Sequence, residues 1–218
     1  MHPVDTAPDG HAVPQRTAVL VPIKAFADAK QRLRTVLSDT ERRLLAQHCA
    51  ETVLAAAHEL AVSVVCDDDG VAEWARAHGA EVVNTPSEGL NPAIAEGVAA
   101  LAAAGFDMIV VAHGDLPLAD DLRPVAATGT DTVTLVPDLV YDGTNVLVLP
   151  AGLSGRFGFR YGRGSFAAHL SEALRCGASV RVLRVPALAH DIDTPDDFDR
   201  PEMEGIRQWL RTNPDNPR

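Results

Sequence analysis

Asp107-Met-Ile-Val-Val-Ala112, followed by His113-Gly114-Asp115-Leu116-Pro117, is the stretch on which the fold turns. From Met108 to Ala112 it is apolar without alternation, which predicts a strand covered on both faces, as in parallel sheets. The residues behind it are of the opposite kind. A carboxylate directly after a buried strand is costly without a partner, so Asp115 is a candidate metal ligand. Gly114 lets the backbone come close to a ligand. The structural alternative for Asp115 is to cap a following helix.

Working outward, six more stretches read as strands: 17–21, 61–66, 81–83, 132–136, 145–149 and 180–185. Helical spacing lies between most of them. Ser38-Asp-Thr-Glu41 reads as a capping box that opens a helix running to about His58. Further helices are predicted over 71–78, 91–104, 120–127, 165–176 and from Pro195 to about Leu210. Strands alternating with helices argue for one α/β domain over 17–211, with a mostly parallel sheet flanked by helices. Residues 1–16, polar and proline-rich, read as a disordered leader, and 212–218 as a loose tail.

Composition narrows the function. The 218 residues are 46% hydrophobic and 22% charged, with a formal charge of −11. A chain this acidic has no bulk attraction for nucleic acid or an anionic membrane, so any phosphate must be held by a local cluster of cations or a metal. No apolar run is long enough to span a bilayer and no secretory pattern opens the chain, which makes a cytoplasmic protein the default. Cys49, Cys66 and Cys176 are far apart and read as small buried side chains.

In open α/β sheets ligands bind beyond the carboxyl ends of the strands. After the first strand stand Lys24, Lys30, Arg32 and Arg34, four cations suited to a polyphosphate or else a solvated basic face. After the last come Asp191 and Asp193, which extended chain would point to one side; hard oxygen ligands of that sort suit Mg²⁺. Asp193 or Thr194 is alternatively a helix cap. Asn91 is either a cap or a ligand to a sugar or base edge. Asp142-Gly143-Thr144-Asn145 is a turn or a site. Arg156 to Ser165 carries three arginines, three further glycines and a helix-starting serine between its ends, and predicts an anion pocket. His48, His58, His78 and His169 read as surface or packing residues.

Taken in order, Pro22-x-Lys24, Ala29-Lys30-x-Arg32-Leu33, Leu90-Asn91, Gly114-Asp115-Leu116-Pro117, Gly143-Thr144-Asn145, Phe157-Gly158, Gly164-Ser165-Phe166-x-x-His169 and Asp191-Ile192-Asp193-Thr194-Pro195 resemble the CofC/FbiD family of guanylyltransferases in coenzyme F420 biosynthesis. The resemblance spans Val19 to Phe198. It implies a single-domain nucleotidyltransferase fold of the GT-A kind, like that of nucleotide-diphospho-sugar transferases. It implies transfer of GMP from GTP to a small phosphorylated three-carbon acid, with release of diphosphate. The acid is phosphoenolpyruvate or 2-phospho-L-lactate, and the alanine- and arginine-rich style favours phosphoenolpyruvate. Similarity places Mg²⁺ on Asp115, Asp191 and Asp193, and the nucleotide on Lys24, Lys30, Arg32 and Asn91, with Asp115 and Lys24 catalytic. It places the acid on Thr144, Gly158 and Ser165 with Gly164. Extra residues from Arg160 to Gly164 leave Gly162 or Gly164 as alternatives to Gly158. A homodimer and a transient hand-off of product to the next transferase are further expectations. A molybdenum-cofactor-type nucleotidyltransferase is the close rival, although its glycine-rich loop is missing after the first strand. A non-catalytic nucleotide-binding module is the distant one.

Overall fold

A computed structural model describes residues 15–85 and 88–216. The first fourteen residues of the expected leader lie outside them, as do the last two of the expected tail. All seven predicted strands form, as β1 (Thr17–Pro22), β2 (Ala61–Cys66), β3 (Glu81–Asn84), β4 (Met108–Ala112), β5 (Thr132–Pro137), β6 (Thr144–Pro150) and β7 (Ser179–Val182). They make one sheet in the order β3-β2-β1-β4-β6-β5-β7. Pairing is parallel except for β6, which runs against both β4 and β5.

The unbroken apolar runs are explained by two-sided coverage. Val19, Val110 and Val148 face a core shared with α1 (Asp39–Ala56) and α2 (Asp69–Ala77). Leu20, Ile109, Val111 and Leu147 face the other way, onto α3 (Leu90–Ala103) and α5 (Ser165–Arg175). Both faces of β4 are therefore dry, and each is filled by branched side chains that fit a pleated surface. On one face α3 comes close enough that a Cβ at Gly97 would stand 2.7 Å from Leu20 Cδ2.

The Ser38–Glu41 capping box forms as predicted, with Ser38 N–H donating to Glu41 Oε2 at 2.8 Å and Glu41 N–H to Ser38 Oγ at 3.3 Å. Three elements differ from expectation. The helix expected over 120–127 is one turn, α4 (Arg123–Ala126), because Pro124 has no N–H to close an earlier turn. The last strand ends at Val182, and Pro186 opens another single turn, α6 (Pro186–Ala189). The terminal helix is broken into α7 (Pro195–Phe198), a 3₁₀ turn over Pro201–Met203 and α8 (Glu204–Thr212). Pro201 breaks it by removing a donor and holding Arg200 extended, at ψ 145°. These pieces pack Phe198, Met203, Ile206 and Leu210 onto α1 in a third core, which also takes Leu33 and Ile192. Past α8, Asn216 Nδ2 donates to Leu210 O at 3.0 Å.

Candidate active site

Antiparallel β6 brings its beginning to the same sheet edge where β4 ends: Ala112 pairs with Val146, and His113 N–H donates to Asn145 O at 3.0 Å. Thr144 thereby sits beside the His113-Gly114-Asp115 turn. Asn145 Nδ2 donates to Leu188 O at 3.0 Å and ties α6 to that edge, which delivers the His190–Asp193 segment behind it. Ile192 is buried in the third core, so Asp191 and Asp193 on either side of it turn to the cleft together. Thr194, not Asp193, caps α7: its Oγ1 accepts from Asp197 N–H at 3.4 Å. Asp193 is left for other work.

The centre of the site is an ion cluster. Lys30 Nζ lies 3.0 Å from Asp115 Oδ2 and 3.3 Å from Asp193 Oδ1. Lys30 adopts a left-handed conformation, φ 54° and ψ 37°, which a lysine takes only when its surroundings enforce it. Arg42, buried in α1, supplies part of that enforcement by donating from Nη1 to Ala29 O at 2.8 Å. Burial works against the charge on Lys30, yet Asp115 and Asp193 outweigh it and hold the ammonium well above the ordinary lysine range. Burial likewise opposes the charge on Asp115, and Lys30 and His113 hold its carboxyl below the usual value. Among the described residues Asp191 has no such cationic partner. Burial, with the negative charges of Asp115 and Asp193, pushes its carboxyl up to about 7.

Around this cluster runs a continuous cleft along the carboxyl edge of the sheet. At one end is a cavity of about 380 Å³ lined by Lys24, Asp67, Thr85 and Leu90. A middle cavity of about 260 Å³ is shared by Lys24, Lys30, Gly114, Asp115 and Asp193. The far end, about 540 Å³, is lined by Arg32, Asp115, Thr144, Gly162, Arg163, Ser165, Asp191 and Asp193. Asp115, Asp191 and Asp193, the cations Lys24, Lys30 and Arg32, and the hydroxyls of Thr144 and Ser165 thus share one cleft, and Arg34 is not part of its lining.

Three expected residues, Asn91, Gly158 and Gly164, are not part of its lining. Asn91 is spent on the main chain of Tyr161: Tyr161 N–H donates to its Oδ1 at 2.7 Å, and its Nδ2 donates to Tyr161 O at 3.1 Å. Asn91 is a clamp between α3 and the loop before α5. Gly158 donates its N–H to Glu172 Oε1 at 2.6 Å, away from the cleft. Gly162 lines the cavity instead, at φ 127°, a conformation that excludes side chains. Gly164 donates to Asp142 Oδ2 at 3.2 Å and shapes the same loop. His169, expected as a surface or packing residue, is fully buried and bonds to Thr144 Oγ1 at 3.0 Å. A lone histidine on an amphipathic helix carried no signal of that contact.

The donor set suits a divalent ion. Asp115 Oδ1 is buried with no hydrogen-bond partner among the described residues. Asp138 and Asp142 add two more carboxylates to the same lining. The far cavity therefore has more negative charge than Lys30, Arg32 and Arg163 can balance. Among the described residues no three acidic, imidazole or thiol groups stand close enough to enclose an ion as they are. Lys30 occupies the space between Asp115 and Asp193.

A family model described as "Guanylyl transferase CofC like" matches residues 17–208. The chain belongs to this family. Phosphoenolpyruvate guanylyltransferase of Rubrobacter xylanophilus is 37% identical over 198 residues, 87% of this chain and 95% of the relative. The 2-phospho-L-lactate guanylyltransferase of Methanothermobacter thermautotrophicus is 29% identical, covering 90% of each. In structure the chain is similar to a Desulfovibrio desulfuricans protein assigned as a nucleotide-diphospho-sugar transferase, with a TM-score of 0.70 and 15% identity over 90% of this chain and 97% of that one. It also resembles a nucleotidyl transferase from Methanothermobacter, with a TM-score of 0.62 and 19% identity over 91% and 99%. The CofC-like chain is a nucleotidyltransferase with the fold that the sequence resemblance implied.

Proposed function

We propose that this member of the family transfers GMP from GTP to phosphoenolpyruvate, releasing diphosphate, in a Mg²⁺-dependent reaction belonging to coenzyme F420 biosynthesis. The observation that carries this is the single cleft in which Lys30, Asp115, Asp191 and Asp193 lie between a cavity lined by Lys24, Asp67 and Thr85 and one lined by the Thr144 and Ser165 hydroxyls together with Arg163, Asp138 and Asp142. The 380 Å³ cavity takes the nucleoside, because its polar lining of Asp67 and Thr85 suits a base or ribose rather than phosphates. Lys24, Lys30 and Arg32 then face the triphosphate, and Thr144, Gly162, Arg163 and Ser165 face the acid.

Both substrates are anions, so positioning and charge neutralisation supply most of the rate. Asp115, Asp191 and Asp193 are the residues that would hold the metal; when bound, it withdraws charge from the α-phosphate and the incoming oxygen. Lys24 and Lys30 neutralise the phosphates and ease the departure of diphosphate. No residue need act as general base, since the substrate phosphate oxygen is already ionised near neutral pH. The phosphoenolpyruvate relatives favour that acid over 2-phospho-L-lactate.

Incubation of the full chain with GTP and Mg²⁺, with each acid in turn and with CTP as control, tests the proposal by ³¹P NMR. A diphosphate diester formed from GTP and phosphoenolpyruvate is expected. Product from CTP alone, or none from any pair, would refute it.

A further inference from the structure

His169 sits in α5 with no exposed surface, enclosed by the rings of Phe157 and Tyr161 at 6.0 and 4.6 Å. Its two nitrogens meet different partners. Nε2 accepts from the main-chain N–H of Arg160 at 2.9 Å. A main-chain N–H only donates, so Nε2 carries no proton. A neutral imidazole must then carry its proton on Nδ1, which lies 3.0 Å from Thr144 Oγ1. Burial, with His113 nearby, pulls the ring down to about 4, so it is neutral at physiological pH. Thr144 is consequently the acceptor in this bond, and its own hydroxyl proton must go elsewhere. No protein acceptor for that proton is found among the described residues, and Thr144 lines the 540 Å³ cavity. Ser165 repeats the logic: its Oγ accepts from Thr144 N–H at 2.9 Å, which leaves its proton for the same cavity.

We propose that His169 is a positioning residue that fixes the Thr144 hydroxyl as a proton donor toward the cavity, so that this end of the cleft selects an oxyanion. The inference rests on the reading that a phospho-acid binds there. Two hydroxyls whose acceptor sides are already filled favour a carboxylate or phosphate oxygen and disfavour a ligand that must donate. Arg163 and the backbone at Gly162 lie beside them and add to the same preference, while the carboxylates of Asp138 and Asp142 in the same lining oppose it. The Arg160 bond serves the other half of the task. It ties the Arg160–Gly164 loop to the same ring that orients Thr144, so loop and hydroxyl are set by one side chain.

Two substitutions separate the halves. His169→Gln keeps an acceptor for Arg160 N–H and loses the donor to Thr144; His169→Asn keeps the donor and loses the acceptor. In steady-state kinetics with GTP and phosphoenolpyruvate, His169→Gln should raise KM for the acid roughly tenfold, about the worth of one bond to a charged acceptor. KM for GTP should be unchanged, and His169→Asn should keep most of the affinity for the acid. Adding Thr144→Val to His169→Gln should cost nothing further. An unchanged KM for the acid in His169→Gln, or an equal rise in both KM values, would overturn the proposal. The ring itself is read by ¹⁵N NMR of the histidine-labelled full chain near neutral pH, assigned by the missing signal in His169→Gln. Protonated Nδ1 and bare Nε2 are expected, whether or not the chain turns over phosphoenolpyruvate; the opposite tautomer overturns the proposal. Absence of turnover by the unsubstituted chain would instead sink the function reading, with the tautomer still deciding this one.

Discussion

Replacing Lys30 by methionine removes an ammonium that touches both Asp115 and Asp193, at 3.0 and 3.3 Å, and keeps most of its apolar length. The Lys30 side chain is 7% exposed, Asp115 25% and Asp193 49%. Stripping one partner from a fully buried pair costs about 3–5 kcal/mol. Water already reaches half of Asp193 and a quarter of Asp115, which discounts the loss to about 2–3 kcal/mol. For a domain of this size that lowers Tm by roughly 4–12 °C. Calorimetry of both proteins in EDTA and in Mg²⁺ reads the effect. In EDTA the full deficit is expected, and Mg²⁺ should narrow it because a cation between the carboxylates replaces the lost charge. Adding Asp115→Asn should restore most of the stability. A Lys30→Met protein as stable as the parent in EDTA, or a deficit untouched by both Mg²⁺ and Asp115→Asn, would refute the reasoning.

Asn91→Ala should raise KM for the acid and leave KM for GTP alone, because Asn91 holds Tyr161 rather than the nucleotide; the reverse pattern in steady-state kinetics would restore it to the nucleotide site. Gly97→Ala should lower stability by about 1 kcal/mol in thermal unfolding, since the clash with buried Leu20 outweighs the better helix propensity of alanine; a gain would show that α3 can lift off the sheet. Glu172 is held near 2 by its bonds from Arg175, with burial opposing and Gly158 N–H assisting. Its folded pKa lies below the ordinary 4.5, so the stability it adds is present above that pH and is lost as pH falls toward 2. The Tm gap between the parent and Glu172→Gln should be widest at neutral pH and close through that window; a gap independent of pH would refute the assignment.

Most of the seven strands were legible as short apolar runs, although β3 and β7 are half-exposed and β7 is interrupted by Arg181. Direction was not: a strand buried on both faces, such as β6, reads the same whichever way it runs. The break at Pro201 carried its own signal, since a proline inside a helical stretch removes a donor and restricts the residue before it. At the site, Asp115 stood out because a charge directly after a buried strand needs a reason to be there, and Asp191 and Asp193 because extended chain points both to one side. Their shared lysine could be named but not placed, since nothing in the sequence marks Lys30 as left-handed. Asn91 and Gly158 turn to partners other than those expected, and His169, quoted in the motif but read as a surface or packing residue, turns to Thr144, for one physical cause. Each is defined by a partner 70, 14 or 25 residues away along the chain, two of them main-chain or glutamate contacts with no local pattern.

The central claim is that Asp115, Asp191 and Asp193 share one divalent cation next to the triphosphate. Titration of Mn²⁺ into the full chain with GTP present, followed by electron paramagnetic resonance, addresses it directly. One class of bound Mn²⁺ is expected, weakened at least tenfold, on the order of what losing a ligand does, by alanine at each of the three positions. Three alanine variants that all bind Mn²⁺ as the parent does would contradict the account.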